Sequence, residues 1–228
     1  MRTMLCALVS LVLLSGIAMA GDDAWNQLTP EEVEEGYELL FNGENMDGWQ
    51  GSVDGYEAID DMLVCKQGGN LYAAEEYANF VLRFAVRIPL NGNNGVGIRT
   101  PMGVNAAYQG MEIQILDDDG PAYTELQPYQ YHGSVYGVAP AKRGSLKPAG
   151  EWNIEEIRAE GSKITVTLNG DVITQVDLAD IEEAMDHNAH PGLHNAKGHI
   201  GFLGHGARIE WHSIRILKLP ACEEEDAE

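Results

Sequence analysis

The strongest constraint on the fold of this chain is a hydrophobic period of two. Phe80, Leu82, Phe84, Val86 and Ile88 alternate with Val81, Arg83, Ala85 and Arg87. Successive side chains on a strand point to opposite faces, so this spacing turns one apolar face to an interior and the other to solvent. Ile164, Val166 and Leu168 repeat the pattern against Lys163, Thr165 and Thr167. Asn169-Gly170 then supplies two residues that tolerate positive φ, the requirement of a two-residue hairpin turn, and Val172 to Val176 returns. Further strands are predicted at Glu38–Phe41, Tyr56–Ile59, Met62–Lys66, Met111–Leu116, Ser134–Val138, Trp152–Ala159, His199–Leu203 and Arg208–Leu217. One short helix is predicted where Thr29-Pro30-Glu31-Glu32 forms a capping sequence, ending at Gly36.

Many short strands with little helix specify an all-β fold, and alternation of apolar with polar faces favours antiparallel sheets packed in two layers. No repeat of fixed period is present, which argues against a propeller or solenoid. No Pro- or Ser-rich linker interrupts Tyr37–Leu219, so residues 37–219 read as one domain.

The first 20 residues read as a processing signal: Arg2, an apolar run from Met4 to Leu14, then Ala18-Met19-Ala20. That run of about 11 residues is short for a bilayer span. The expectation is a secreted or periplasmic chain cleaved near Ala20, with a short helix-bearing segment over 21–36 and an acidic, disordered tail over 220–228. Cys65 and Cys222 could then pair in an oxidising compartment. The chain has 36 Asp+Glu against 14 Lys+Arg, a formal charge of −22. That balance argues against nucleic-acid or anionic-membrane partners, which need a basic footprint. Also missing are a G-x-S-x-G elbow, a phosphate-binding glycine loop, H-E-x-x-H and C-x-x-C.

Three constellations remain. In the strand Met111–Leu116, Glu112 and Gln114 share one face while Ile113 and Ile115 share the other. If the isoleucines point inward, Glu112 faces out from the sheet, where a carboxylate can act as a general base. An ordinary solvated face is the alternative. Asp117-Asp118-Asp119-Gly120 offers hard oxygen ligands that could bind calcium. Pro128, however, stands where an EF-hand loop needs its glutamate, and an acidic turn is the simpler reading. His187, His190 and His194 have spacing that could serve a transition metal, but Pro191, Gly192 and Asn195 mark an open loop. His205, between Gly204 and Gly206, is sterically uncrowded and a better catalytic candidate.

The order of motifs resembles the 3-keto-disaccharide hydrolase family. The matching residues are Tyr37 to Gly43 with Met46-Asp47-Gly48-Trp49, Asn94 to Arg99, Gly110 to Asp117, Gly133 to Gly137, Lys147 to Asn153, Leu168-Asn169-Gly170, Gly198 to Gly206 and Ile214-Arg215-Ile216. The resemblance implies a concanavalin-like jelly-roll β-sandwich with a ligand groove on one sheet, acting on glycosides oxidised at C3. A ketone at C3 acidifies the C2 proton, so a base can remove it, the C1 substituent leaves, and water adds to the resulting enone. On this reading Glu112 is the base, Arg99 clamps the enolate or a sugar hydroxyl, and His205 is the acid. Asp117, His132, Tyr136 and Gln114 contact substrate. No cofactor is expected, and whether a metal takes part stays open. A glycoside 3-dehydrogenase would have to supply the ketone, because this chain lacks a dinucleotide-binding fingerprint. The alternative on the same scaffold is a non-catalytic carbohydrate-binding module.

Overall fold

A computed structural model describes residues 25–220. The leader over 1–20, the acidic tail beyond 220 and the partner cysteine Cys222 lie outside the described residues. In chain order the strands are β1 (Glu38–Leu39), β2 (Trp49–Gly51), β3 (Tyr56–Ile59), β4 (Met62–Cys65), β5 (Gly69–Tyr77), β6 (Phe80–Arg87), β7 (Asn93–Thr100), β8 (Met111–Leu116), β9 (Trp152–Glu160), β10 (Lys163–Leu168), β11 (Asp171–Asp177), β12 (Gly198–Gly204) and β13 (Glu210–Lys218). Two short helices are α1 (Pro30–Glu35) and α2 (Ala106–Gln109). All pairings are antiparallel. The larger sheet runs β11-β10-β9-β6-β13-β4-β3 with β1 on β13, and the smaller runs β2-β5-β12-β7-β8. Among the described residues no helix is long and apolar enough to cross a membrane.

The alternation in β6 does what its period requires. Phe80, Leu82, Phe84 and Val86 are buried between the sheets with Trp211, Ile214 and Ile216 of β13. From the smaller sheet Leu71, Val96, Ile113, Ile115 and Phe202 meet them. Phe202 is the hinge of this contact, 4.5 Å from the Trp211 ring and 6.4 Å edge-on to Phe84. Each such side chain contributes roughly 1.5–3 kcal/mol on leaving water. The Asn169-Gly170 turn closes β10 on β11 with φ of 51° and 95°.

Three features differ from the sequence reading. Strands β2, β5 and β7 form where no strand was predicted, and all three carry glycines, which lower intrinsic strand preference. Ser134–Val138 is not a strand: Val135 alone makes bridges, to Ile113 and Ala139, and Gly137 at φ 75° turns the chain. The outward face of β6 is not uniformly wet, since Val81 and Ala85 are also buried. The segment before β1 lies over this outer side of the sheet. Arg215 holds Glu32 of α1 at 2.6 Å, and Trp25 stacks on His212 at 4.0 Å.

His212 is thereby enclosed between Trp25 and Trp152, and burial together with Arg215 and Arg87 lowers its pKa from 6.5 to about 4. The folded chain therefore holds this ring neutral where the unfolded chain protonates it. That contribution is complete above pH 6.5 and is lost as pH falls from there towards 4, a change on the order of 3 kcal/mol. Denaturant titrations between pH 7 and pH 4 should show this loss, and His212→Gln should remove that part of the slope.

Candidate active site

The outer face of the smaller sheet is built row by row from its register. Gln50 pairs with Tyr72, Tyr72 with Gly201, Gly201 with Gly97 and Gly97 with Glu112. The bridge between Ile113 and Val135 places Tyr136 opposite Glu112 in the same row, and the Tyr136 N–H donates to the Glu112 carbonyl at 2.9 Å. The glycines are positions where larger neighbours lie down. A Cβ on Gly201 would stand 2.5 Å from the Tyr72 ring, one on Gly97 would meet Leu203 at 3.3 Å, and one on Gly95 would fall 2.1 Å from Glu112 Oε1. Tyr72 and Leu203, packed with Ala106 of α2, close the β5–β12 half of this face.

Glu112 is thus laid along the backbone of β7 rather than out into solvent, and only 7% of it is accessible. The solvated-face alternative is excluded by this burial. Among the described residues its carboxyl has no hydrogen-bond or ion-pair partner. Desolvation alone raises its pKa from 4.5 to about 7. A carboxyl that is largely buried, unpaired and poised near neutrality is costly to keep and is suited to taking a proton from carbon.

Two of the residues expected beside Glu112 are there. Gln114 follows on the same face, buried, with Nε2 donating to Asn93 Oδ1 at 3.2 Å. Tyr136 stands opposite, half-buried, with Tyr129 edge-on at 6.0 Å. The sequence reading missed the next layer. Tyr108 of α2 packs on the His190 ring at 4.7 Å and faces the Asp186 carboxylate and the phenols of Tyr136 and Tyr129. Desolvation and these neighbours raise the Tyr108 pKa. His190 Nε2 lies 3.1 Å from Asp186, and Nδ1 lies 3.2 Å from the Ala107 carbonyl. Asp186 and His190 crowd Gly137, the residue after Tyr136, so closely that a Cβ there would sit 2.7 Å from both. The aromatic and Gly-flanked character of these positions was visible, but their convergence from three separate loops was not.

The other expected residues are placed elsewhere. Arg99, at φ 48° beside the irregularity in the β7–β12 register, turns its guanidinium to the Ala78 and Gly161 carbonyls, each at 2.8 Å, and to Asn79. His132 is driven into the core: Nδ1 accepts from the Leu116 N–H at 3.2 Å, and Nε2 lies 3.1 Å from Glu155, a fully buried glutamate of β9. Asp117 Oδ2 accepts from the Asn91 N–H at 2.7 Å and closes a turn. His205 stands exposed beyond β12, its pKa lowered by partial desolvation of the ring, and no contact joins it to Glu112. The acidic run is engaged by protein groups, Asp118 by the His132 N–H and Asp118 and Asp119 by Arg143. The loop histidines disperse too, with His187 on Glu183 and His190 on Asp186. Among the described residues no three histidine, cysteine or acidic side chains converge as metal ligands. Trp152 packs on the opposite, larger sheet against His212 and Arg87.

Two antiparallel sheets packed face to face, with a buried carboxyl on one outer face, place the chain among the β-sandwich proteins. Residues 36–217 match the 3-keto-alpha-glucoside-1,2-lyase-like domain, and the chain belongs to that family. A 3-keto-disaccharide hydrolase of Bacteroides thetaiotaomicron is 24% identical over 233 aligned positions, covering 81% of this chain and 79% of that protein. A crystal structure from Parabacteroides distasonis, described provisionally as a glycosyl hydrolase, superposes with a TM-score of 0.75 at 25% identity, covering 86% of this chain and all of that one. A second from the same organism gives 0.71 at 26% identity, covering 80% and 99%.

The geometry of Glu112 has one consequence for stability and one for activity. Its folded pKa lies above its unfolded value, so the stability linked to its proton is full below pH 4.5 and lost as pH rises through about 7. Glu112→Gln should therefore raise the unfolding free energy at pH 8 by up to about 3 kcal/mol and change it little at pH 4.5, read by denaturant titration. Gly95→Ala should instead displace the carboxyl and lower activity while leaving the circular dichroism spectrum intact.

Proposed function

We propose that the chain cleaves 3-keto-glycosides by elimination and then hydration, with Glu112 as the base. The observation that carries this reading is the unpaired carboxyl over Gly95 with its pKa near 7. Ordinary glycoside hydrolysis needs two carboxyl groups flanking the scissile bond. Beside Glu112 stand instead hydrogen-bonding neutral groups, Gln114 and Tyr136, and the carboxyl of Asp186 beyond them is taken up by His190 and Asn188. Elimination from a 3-keto sugar asks for that set.

In the first step ionised Glu112 takes the C2 proton, and the electron pair moves into the C2–C3 bond as the C3 oxygen gains charge. Gln114, beside the base on β8, donates a hydrogen bond to that oxygen, and Tyr136, opposite the base, faces the C1 substituent. The pair then returns to form C1=C2, the C1–O bond breaks, and the leaving oxygen takes a proton from the water that next adds its oxygen at C1. Water adds at C1, and Glu112 returns its proton to C2, which completes net hydrolysis. Burial keeps the carboxylate poorly solvated and hence basic enough for a carbon acid. The Arg99 guanidinium, spent on the loop carbonyls, is a structural tie in this scheme, and Asp117 and His132 hold loops. The substrate's ketone must come from an enzyme that oxidises a glycoside at C3.

The deciding experiment offers the purified chain a 3-keto-glucoside and its unoxidised parent and follows aglycone release. Release from the keto compound alone is the expected result, with kcat/KM rising with pH to a plateau above about 7. Glu112→Gln should lower kcat by about a hundredfold or more. Equal release from both compounds would identify an ordinary glycosidase, and binding without release would identify a sugar-binding module.

A further inference from the structure

We infer that Tyr108, Tyr129 and Tyr136, with Asp186 among them, form the subsite that receives the sugar expelled from C1; this rests on the reading of Glu112 as the base. The substrate ring whose C2 hydrogen meets Glu112 can extend from that point in two directions along the outer face. Towards β12 and β5 the way is filled, since Leu203 lies over Gly97, Tyr72 over Gly201, and Ala106 of α2 seals both, all three buried. In the opposite direction the row continues into Tyr136, and beyond it stand Tyr129 and Tyr108, all three half-buried. A leaving sugar therefore lies on the tyrosines.

The chemistry of this wall fits an uncharged sugar. Aromatic faces stack on the C–H faces of a pyranose, and phenol hydroxyls exchange hydrogen bonds with its hydroxyls, while Asp186 stands behind them as the group that holds the wall in place. Asp186 is fixed from several sides: His190 at 3.1 Å, the Asn188 backbone N–H and its Nδ2 each at 3.0 Å. His190 is in turn held by the Ala107 carbonyl, so the carboxylate and the loop carrying Tyr108 move as one piece. The three tyrosines bring no cation to the ligand, and the acids nearest to them are Glu112 and Asp186, the latter with a side chain only 6% accessible. An anionic leaving group such as a uronate would be repelled, and a neutral sugar would not.

The test compares two substrates that share the 3-keto-glucosyl unit, a disaccharide with glucose as the leaving group and the methyl glycoside. Tyr129 is half-exposed on a short 3-10 turn, so Tyr129→Ala should fold, and Asp186→Asn keeps the shape of its side chain. For each variant the KM penalty on the disaccharide should exceed that on the methyl glycoside by about tenfold. A disaccharide whose leaving group is glucuronate should be a markedly poorer substrate for the wild-type chain, and Asp186→Asn should narrow that gap. Equal penalties on both substrates, or none, would overturn the subsite while leaving the base assignment standing. Failure of the wild-type chain to cleave either substrate would instead overturn the reading on which the subsite rests.

Discussion

A largely buried carboxyl group with no partner among the described residues costs free energy, and the smaller sheet is arranged so that this cost is met. Glu112 can lie flat only because Gly95 has no side chain, and it is buried only because β8 is held in register on β7. Neither condition would survive a loose sheet. The packing of Phe202 against Trp211 and Phe84 fixes the smaller sheet on the larger one, and the rows of the outer face inherit that order. The stability of the core is thus converted into the strained ionisation of one residue, as the general trade between stability and active-site function would have it.

The far side of Glu112 depends on a second device. The chain after β8 crosses back between the layers and is fastened there by His132 on Glu155 and by the Thr174 hydroxyl, which donates to the Gly133 carbonyl at 2.8 Å. Ile173 packs where a side chain on Gly133 would be. A buried histidine–carboxylate pair contributes little net stability against an apolar core of the same volume, but it tolerates few other arrangements. Its effect is to fix where residues 133–136 run along the open edge of β8, and so to bring Tyr136 opposite Glu112. The residues assigned to substrate from the sequence alone, Asp117 and His132, act on the loops that carry the site.

Much of this was legible in the sequence, and the limits have physical causes. The alternation in β6 and β10 specified an antiparallel sandwich because packing two layers needs period two. The isoleucines at 113 and 115 correctly sent Glu112 to the other face. What period alone misjudged was how wet that face is, since the burial comes from α2 and from residues far along the chain. The glycine-rich β7 was hidden because glycines weaken the strand signal at the positions where other side chains need the space. Arg99 was misplaced because a local irregularity at positive φ redirects its side chain, and no alternation rule anticipates that. His190 looked like a loop histidine among proline and glycine. Only the folded chain brings it under Tyr108 and beside Asp186.

The account turns on the ionisation of one side chain, and that can be observed directly. Carbon-13 NMR of protein labelled at the glutamate carboxyls, titrated from pH 4 to pH 9, would follow each resonance, with Glu112→Gln identifying the signal of interest. The expected result is one resonance, absent from the variant, that titrates near pH 7. A Glu112 resonance titrating near 4.5 would show a solvated or paired group and contradict its role as the base.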